Sequence, residues 1–327
     1  MIHAPASFSR SLAGLTAGML LAAPAGAEDR TPAGEPVAGY VFTYFTGNGE
    51  DGLHLATSAD GLAWEAANGG RAVFNARVGS QKLMRDPCAI QAPDGTFHLV
   101  WTTGWSGKDI GYARSGDLVA WTGAKTIPVM ACEAGALNCW APEVFYDETE
   151  KRFLIFWATT LPGRFPETDK QDGKYNHRIY YTATKDFEAF TSAALLYDHG
   201  FNVIDATMLR RDGRIVMFLK DETNKPFTPQ KNIRVAWADR PAGPWGTPSE
   251  PISGKDWAEG PTAVAIGGQV VVYFDKYTSH RMGAVRSRDL KTWEDISDQV
   301  RFPPGTRHGT VLPVSKKVLE GVRRLGG

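Results

Sequence analysis

The chain has 327 residues, of which 36 are basic and 36 acidic. A balance this even leaves no positive field for nucleic acid or an anionic membrane surface. The 35 glycines and 11% aromatic content suit an all-β protein with many tight turns.

Along the chain, Arg10, the apolar run "SLAGLTAGMLLAAPAGA" and the small residues Ala25-Gly26-Ala27 read as a secretory signal peptide over residues 1–27. The run is too short and too rich in small residues for a membrane anchor. On this reading residues 28–327 are exported as one domain, to the periplasm or the extracellular medium. "YVFTYFTG" (40–47) is an isolated strand. "GNGEDG" (47–52) has glycines spaced as in a dinucleotide loop, but a strand and turn follow it where a helix would be needed. It is expected to be a hairpin turn.

A unit of strand, aspartate and, four residues on, an aromatic then recurs. It gives Asp60 and Trp64, Asp117 and Trp121, Asp186 and Phe190, and Asp289 and Trp293; "IRVAWADRPAGPW" keeps the strand and ends at Trp245. The spacing, roughly 50–70 residues, is that of a four-stranded propeller blade. Between copies lie pairs of β-branched and aromatic runs divided by turn signals, such as "PCAI" and "TFHLVWTTG" around Pro93-Asp94-Gly95. No stretch keeps a helical period. The expected fold is all-β, a five-bladed β-propeller. Its ring is closed by "HGTVLPV" (308–314), the inner strand of a blade otherwise built from residues 40 to about 75.

An ionisable residue precedes each inner strand: Asp86 in "MRDPCAI", Glu143 in "CWAPEVF", Asp205 in "NVIDATM", Glu259 in "WAEGPTA" and His308 in "RHGTVLP". Inner strands line the channel of a propeller, so these residues are expected to converge in one phase on a common pocket. One such carboxylate is an ordinary turn residue. A ring of them raises mutual repulsion, which is tolerated mainly at catalytic or metal sites. Paired carboxylates with aromatics nearby suit glycosidic bond cleavage. Trp101, Trp105, Trp140 and Trp257 are either sugar platforms or blade packing, whereas Trp64, Trp121, Trp245 and Trp293 at the repeat position are expected to be structural. The long segment 161–178 is expected to fold over the channel mouth, with Asn176, His177 or Arg178 touching the sugar. Of the three cysteines, Cys132 and Cys139 either close a disulfide, leaving Cys88 unpaired, or all three are small buried residues. No serine–histidine arrangement forms a nucleophile elbow.

These motifs, in their cyclic order over nearly the whole exported chain, resemble glycoside hydrolase family 43, five-bladed propellers acting on arabinosyl, xylosyl and some galactosyl linkages. The resemblance implies Asp86 in "RDP" as general base and Glu259 in "AEGP" as general acid. It implies Asp205 in "VIDA" as the residue that orients the acid and tunes its pKa, raising it by its negative charge. Trp140 to Glu143 match the Trp-Ala-Pro-acid motif of the second blade. His308 matches a histidine near the channel centre, often beside a water or calcium ion. Arg85 either holds Asp86 ionised or points to the outer face. The implied enzyme is an inverting hydrolase that releases terminal sugars from oligo- or polysaccharides. It would be a monomer, with no required cofactor beyond a structural Ca2+ in the channel.

The sequence departs from the family in three places. Three strands precede the base, Glu143 stands for the commoner aspartate, and Ala206 follows Asp205 where proline is usual. Rival readings are a retaining fructan-cleaving propeller, whose Asn-Asp-Pro-Asn motif is absent, a β-mannoside phosphorylase, and a non-catalytic sugar-binding propeller.

Overall fold

The computed structural model describes Met1 and residues 30–326; the segment read as a signal peptide lies outside the described residues. Among the described residues nineteen strands, a 3-10 turn (Ala67–Gly70) and one short α-helix follow one another. The first three are β1 (Gly39–Tyr44), β2 (His54–Ser58) and β3 (Glu65–Ala66). Next come β4 (Arg85–Gln91), β5 (Phe97–Thr102), β6 (Ile110–Ser115) and β7 (Trp121–Ile127), then β8 (Trp140–Asp147), β9 (Arg152–Thr160), β10 (His177–Thr184) and β11 (Ala194–Tyr197). The rest are β12 (Val203–Arg211), β13 (Arg214–Asp221), β14 (Asn232–Ala238), β15 (Glu259–Ile266), β16 (Gln269–Lys276), β17 (Arg281–Ser287), β18 (Glu294–Asp295), β19 (Gly309–Val314) and α1 (Lys316–Arg323).

They form five antiparallel sheets: β4 to β7, β8 to β11, β12 to β14, β15 to β18, and a last one ordered β19-β1-β2-β3. This is the five-bladed propeller. In the closing blade Gly39 to Tyr44 pair with Val314 to Gly309, so the ring shuts by hydrogen bonds between the two ends of the described chain. Thr43 strengthens the seam, its hydroxyl donating to the Pro87 carbonyl of the next blade at 2.9 Å.

The recurring aspartates do a structural job. In each of four blades the Asp Oδ1 accepts backbone N–H groups two and three residues on, as Asp60 does from Leu62 and Ala63, and Asp289 from Lys291 and Thr292. A hydroxyl two residues earlier, such as Ser58 or Ser115, takes part as well. This is the aspartate turn that carries the third strand of a blade outward. The aromatic then packs between blades: Trp64 lies against Phe42, Tyr273 and Phe302.

The cysteines are all free; Cys88 and Cys139 are buried and Cys132 is exposed, so neither the disulfide nor the burial of all three is found. No helix among the described residues is long and apolar enough to cross a membrane.

Candidate active site

Four inner strands carry the same irregularity near their starts. Arg85 and Cys88 pair with Thr102 and Val100, Trp140 and Glu143 with Ala158 and Phe156, Ile204 and Thr207 with Lys220 and Phe218, and Glu259 and Thr262 with Asp275 and Tyr273. Each spends three steps where its partner spends two, which is a β-bulge. The residue after the first of each pair has a positive φ: 51° at Asp86, 46° at Ala141, 51° at Asp205 and 58° at Gly260. Left-handed backbone at Ala141 costs roughly 1–2 kcal/mol, and aspartate and glycine bear it more easily. Such conformations cluster at functional sites, where they re-aim side chains.

Aligned on the bulges, the ionisable residues do not share one phase. The outer tier is Arg85, Trp140, Ile204 and Glu259; the middle tier is Asp86, Ala141, Asp205 and Gly260; the deep tier is Cys88, Glu143, Thr207 and Thr262. Arg307, His308 and Thr310 continue these three tiers by sequence. The ring expected from sequence is therefore a stepped funnel. Glu259 is one residue further out than the two aspartates, and Glu143 two residues deeper.

In the middle tier, Asp86 accepts the Thr102 hydroxyl at 2.8 Å and faces His308 Nδ1 at 3.5 Å. The Thr102 oxygen itself accepts the Ala141 N–H at 2.8 Å, so the second blade's bulge orients the hydroxyl that holds Asp86. Burial alone would raise the Asp86 carboxyl, but His308, Arg85 and Thr102 hold it well below the usual carboxylate range. Burial alone would lower His308; the carboxylates of Asp86, Asp205 and Glu143 outweigh it and lift the imidazole to about 9. Gly260 has no side chain because a Cβ there would run into the His308 ring. Asp205 Oδ2 accepts the Gly260 N–H at 3.0 Å and so fixes the backbone next to Glu259. Burial raises the Asp205 carboxyl, opposed by His308 and Lys220 and reinforced by Glu259 and Asp86.

Beside the charges of Asp205 and Asp275, Glu259 meets two cations. Its Oε1 accepts Arg307 Nη2 at 3.0 Å and its Oε2 accepts Lys220 Nζ at 3.1 Å. Arg307 also reaches Asp275 at 3.2 Å. Neither cation was picked out in the sequence. Arg307 precedes His308 as Arg85 precedes Asp86, and Lys220 is a charge at the end of the apolar run "IVMFL"; those were the available signals.

Glu143 lies at the bottom of the funnel, accepting hydroxyls of Thr207 at 3.0 Å and Thr310 at 3.2 Å, and burial pushes its carboxyl up to about 7. It is out of reach of a sugar at the catalytic mouth. Among the described residues no group of three His, Cys, Asp or Glu is placed to hold a metal ion, and the deep hydroxyls of Thr207 and Thr310 are bonded to Glu143. Calcium needs six to eight oxygens.

The aromatic residues divide. Trp101 is 0% exposed and packs in the core over Gly111, so it is structural and no platform. Trp105 is 47% exposed; it meets Trp140 edge-on at 5.7 Å, and Trp140 in turn packs on Tyr175 at 4.5 Å. The Arg85 guanidinium, beside Asp86 at the mouth, is held between the rings of Trp105 (4.3 Å) and Phe45 (4.7 Å) and donates to Asn48. Trp257, 43% exposed, stands beside Tyr277.

The segment from 161 to 178 was expected to offer Asn176, His177 or Arg178 to the sugar. All three are buried, with His177 1% exposed and bonded to Asn202. Arg178 ties the segment down, donating to Asp198 at 2.5 Å and to Asn176, His177 and Thr168. Tyr175 is the ring this segment brings to the Trp140 platform. Arg178→Met should therefore act on stability, by roughly 3–5 kcal/mol for a broken buried pair, with KM little changed. A melting curve like the native one would contradict that assignment.

A cavity of about 970 Å³ opens at the other end of the channel and is lined by Glu143, Thr207 and Thr310, but by none of Asp86, Asp205 and Glu259. The chemistry is defined by the titratable cluster at the opposite mouth and not by this cavity.

A five-bladed propeller with two aspartates, a glutamate and a histidine facing one of the aspartates at one mouth of its channel defines a glycosidase-type site. Residues 35–320 match the family model described as a probable glycosyl hydrolase domain, and the chain belongs to this glycoside hydrolase family 43-related group. It is similar to an α-L-arabinofuranosidase of Bifidobacterium longum, 25% identical over 214 residues, a match covering 57% of this chain and 20% of that protein. The chain thus spans about a fifth of the length of that curated relative. Among solved structures it is similar to a family 43 enzyme of Xanthomonas citri complexed with xylotriose, at TM-score 0.52 and 16% identity, over 72% of this chain and 82% of that one. It is also similar to an α-L-arabinofuranosidase of Lactobacillus brevis, at TM-score 0.50 and 17% identity, over 65% and 72%. At these identities the structural likeness concerns the fold.

Proposed function

We propose that the protein is an exported, inverting glycoside hydrolase that removes terminal sugars, of α-L-arabinofuranosyl or β-D-xylosyl type and with galactosyl-type units as a further class, from oligo- or polysaccharides. The observation that carries this is Asp86, a partly exposed carboxylate kept ionised by His308, Thr102 and Arg85 in the same funnel as Glu259. Family membership supports hydrolysis, and the arabinofuranosidase among the relatives supports the first sugar. Export rests on the N-terminal segment as read from sequence. A monomer fits a ring that closes on itself.

Asp86 takes a proton from the water that attacks the anomeric carbon, and Glu259 gives its proton to the departing oxygen. Inversion requires the two carboxyl groups roughly 6.5–9.5 Å apart, with room for that water. Asp205 holds the Gly260 backbone and with it the direction of Glu259. Trp105, Trp140 and Tyr175 on one side and Trp257 on the other are the sugar-stacking surfaces. Glu143 and His177 support the site from beneath and behind.

The test is a panel of nitrophenyl glycosides, α-L-arabinofuranoside, β-D-xyloside and β-D-galactoside, with Glu259→Gln beside the native protein. Glu259→Gln should lower turnover of a sugar with a poor leaving group by roughly 10²–10⁴-fold and leave a dinitrophenyl glycoside, which needs no acid, far less affected. Equal losses on both would remove Glu259 from the acid role, and no release from any substrate would overturn the hydrolase reading.

A further inference from the structure

Lys220 is a charged side chain in a place that a folded chain seldom gives one. Its side chain is 2% exposed, and its ammonium lies 2.7 Å from Glu222 Oε2 and 3.1 Å from Glu259 Oε2. The Tyr277 ring covers it at 4.7 Å. Glu222 is itself held from the other side by Lys231. A buried ammonium between two carboxylates has two partners to choose from, and one of them is the residue that must carry a proton for the proposed chemistry.

We propose that Lys220 is a positioning residue shared between Glu222 and Glu259: it bridges both while Glu259 is ionised and is held by Glu222 alone when Glu259 takes up its proton. This rests on the acid role given to Glu259. A protonated Glu259 no longer attracts the ammonium, and an unpartnered buried charge would be costly. Glu222, 2.7 Å away, receives that charge without any backbone movement. Loss of the proton to the leaving oxygen restores the carboxylate and the bridge. Proton and charge both balance, because Lys220 stays an ammonium throughout and only its hydrogen bonds change hands. Without Glu222, the protonated state of Glu259 would leave Lys220 stranded.

The other charged groups facing this pair do not provide the same alternation. Arg307 is shared between Glu259 and Asp275 on the far side. Asp205 acts on Lys220 by charge, and Tyr277 lies over it with its ring face. His308 and Asp86 pair with each other one tier further in. Lys231 and His177 act on Glu222 rather than Glu259.

The prediction is a pair of opposite shifts. Lys220→Met removes a cation from Glu259, so its carboxyl should titrate higher by roughly one to three pH units. The alkaline limb of kcat/KM, which falls as the acid loses its proton, should move up with it. Glu222→Gln leaves Lys220 to Glu259 alone, so both should move down. Lys220→Arg keeps the charge and should return the limb toward the native position. The Glu259 carboxyl is followed directly by 13C NMR in each variant. A merely structural Lys220 would lower the amount of active protein without moving the limbs in opposite directions. Shifts of the same sign, or a Glu259 titration that ignores both variants, would overturn the proposal. Opposite NMR shifts in a protein that releases no sugar would sustain the role of Lys220 and overturn the hydrolase reading instead.

Discussion

Asp86→Asn is expected to lower kcat by roughly 10²–10⁴-fold while leaving the fold in place. An amide has no basic oxygen to take the proton from the attacking water. In other respects asparagine suits the position. Its carbonyl oxygen accepts the Thr102 hydroxyl as the carboxylate does, 2.8 Å in the native chain. Asparagine is also among the residues that bear a positive φ, here 51°, at least cost. His308 keeps Asp205 and Glu143 as neighbouring charges. The loss should therefore be chemical and not conformational. Turnover of the best nitrophenyl substrate, measured beside a thermal melt, separates the two. Retained turnover in a folded variant would take the base role from Asp86.

The second large effect concerns closure of the ring. Deleting residues 309–326 should leave no soluble, cooperatively melting protein. The deletion removes β19, the inner strand of the closing blade, and exposes the whole inner edge of β1. An open edge of that kind invites pairing with other chains. It also removes Val311, Leu312, Val314, Val318, Leu319 and Val322, all buried in the clusters that join the closing blade to its neighbours. Each contributes about 1.5–3 kcal/mol, so together they rival the ~5–15 kcal/mol that separates a typical domain from its unfolded state. Gly309 leaves little latitude for replacing the strand with another sequence, since any Cβ there would strike the Thr43 carbonyl. Circular dichroism and size-exclusion chromatography of the shortened chain decide the matter. A monomer with a native-like melt would show that the ring does not depend on its seam.

The sequence by itself determined the architecture and the cast of the site. The blades were legible because four of the five repeat the same local chemistry. Asp60, Asp117, Asp186 and Asp289 each cap their own turn within three residues, and a local constraint repeats visibly in a sequence. The closing strand was legible because an unpaired edge at either end of the ring requires a partner. Asp86, Asp205, Glu259 and His308 stood out as charges at the mouths of apolar strands.

Only the tertiary structure decided depth and partnership. The four inner strands share one bulge, Glu143 closing its own and Glu259 opening its own, and nothing in "WAPE" or "AEGP" announces a bulge. Trp101 sits close in sequence to the site yet packs in the core, because adjacent residues of a strand point to opposite sides, and His177 is buried against the Trp140 ring. The environment of Glu259 is set by Lys220, 39 residues before it, and Arg307, 48 residues after. Those partners come from neighbouring blades, and their meeting is fixed by how the blades pack around the channel, a relation between distant segments that no local pattern of residues carries.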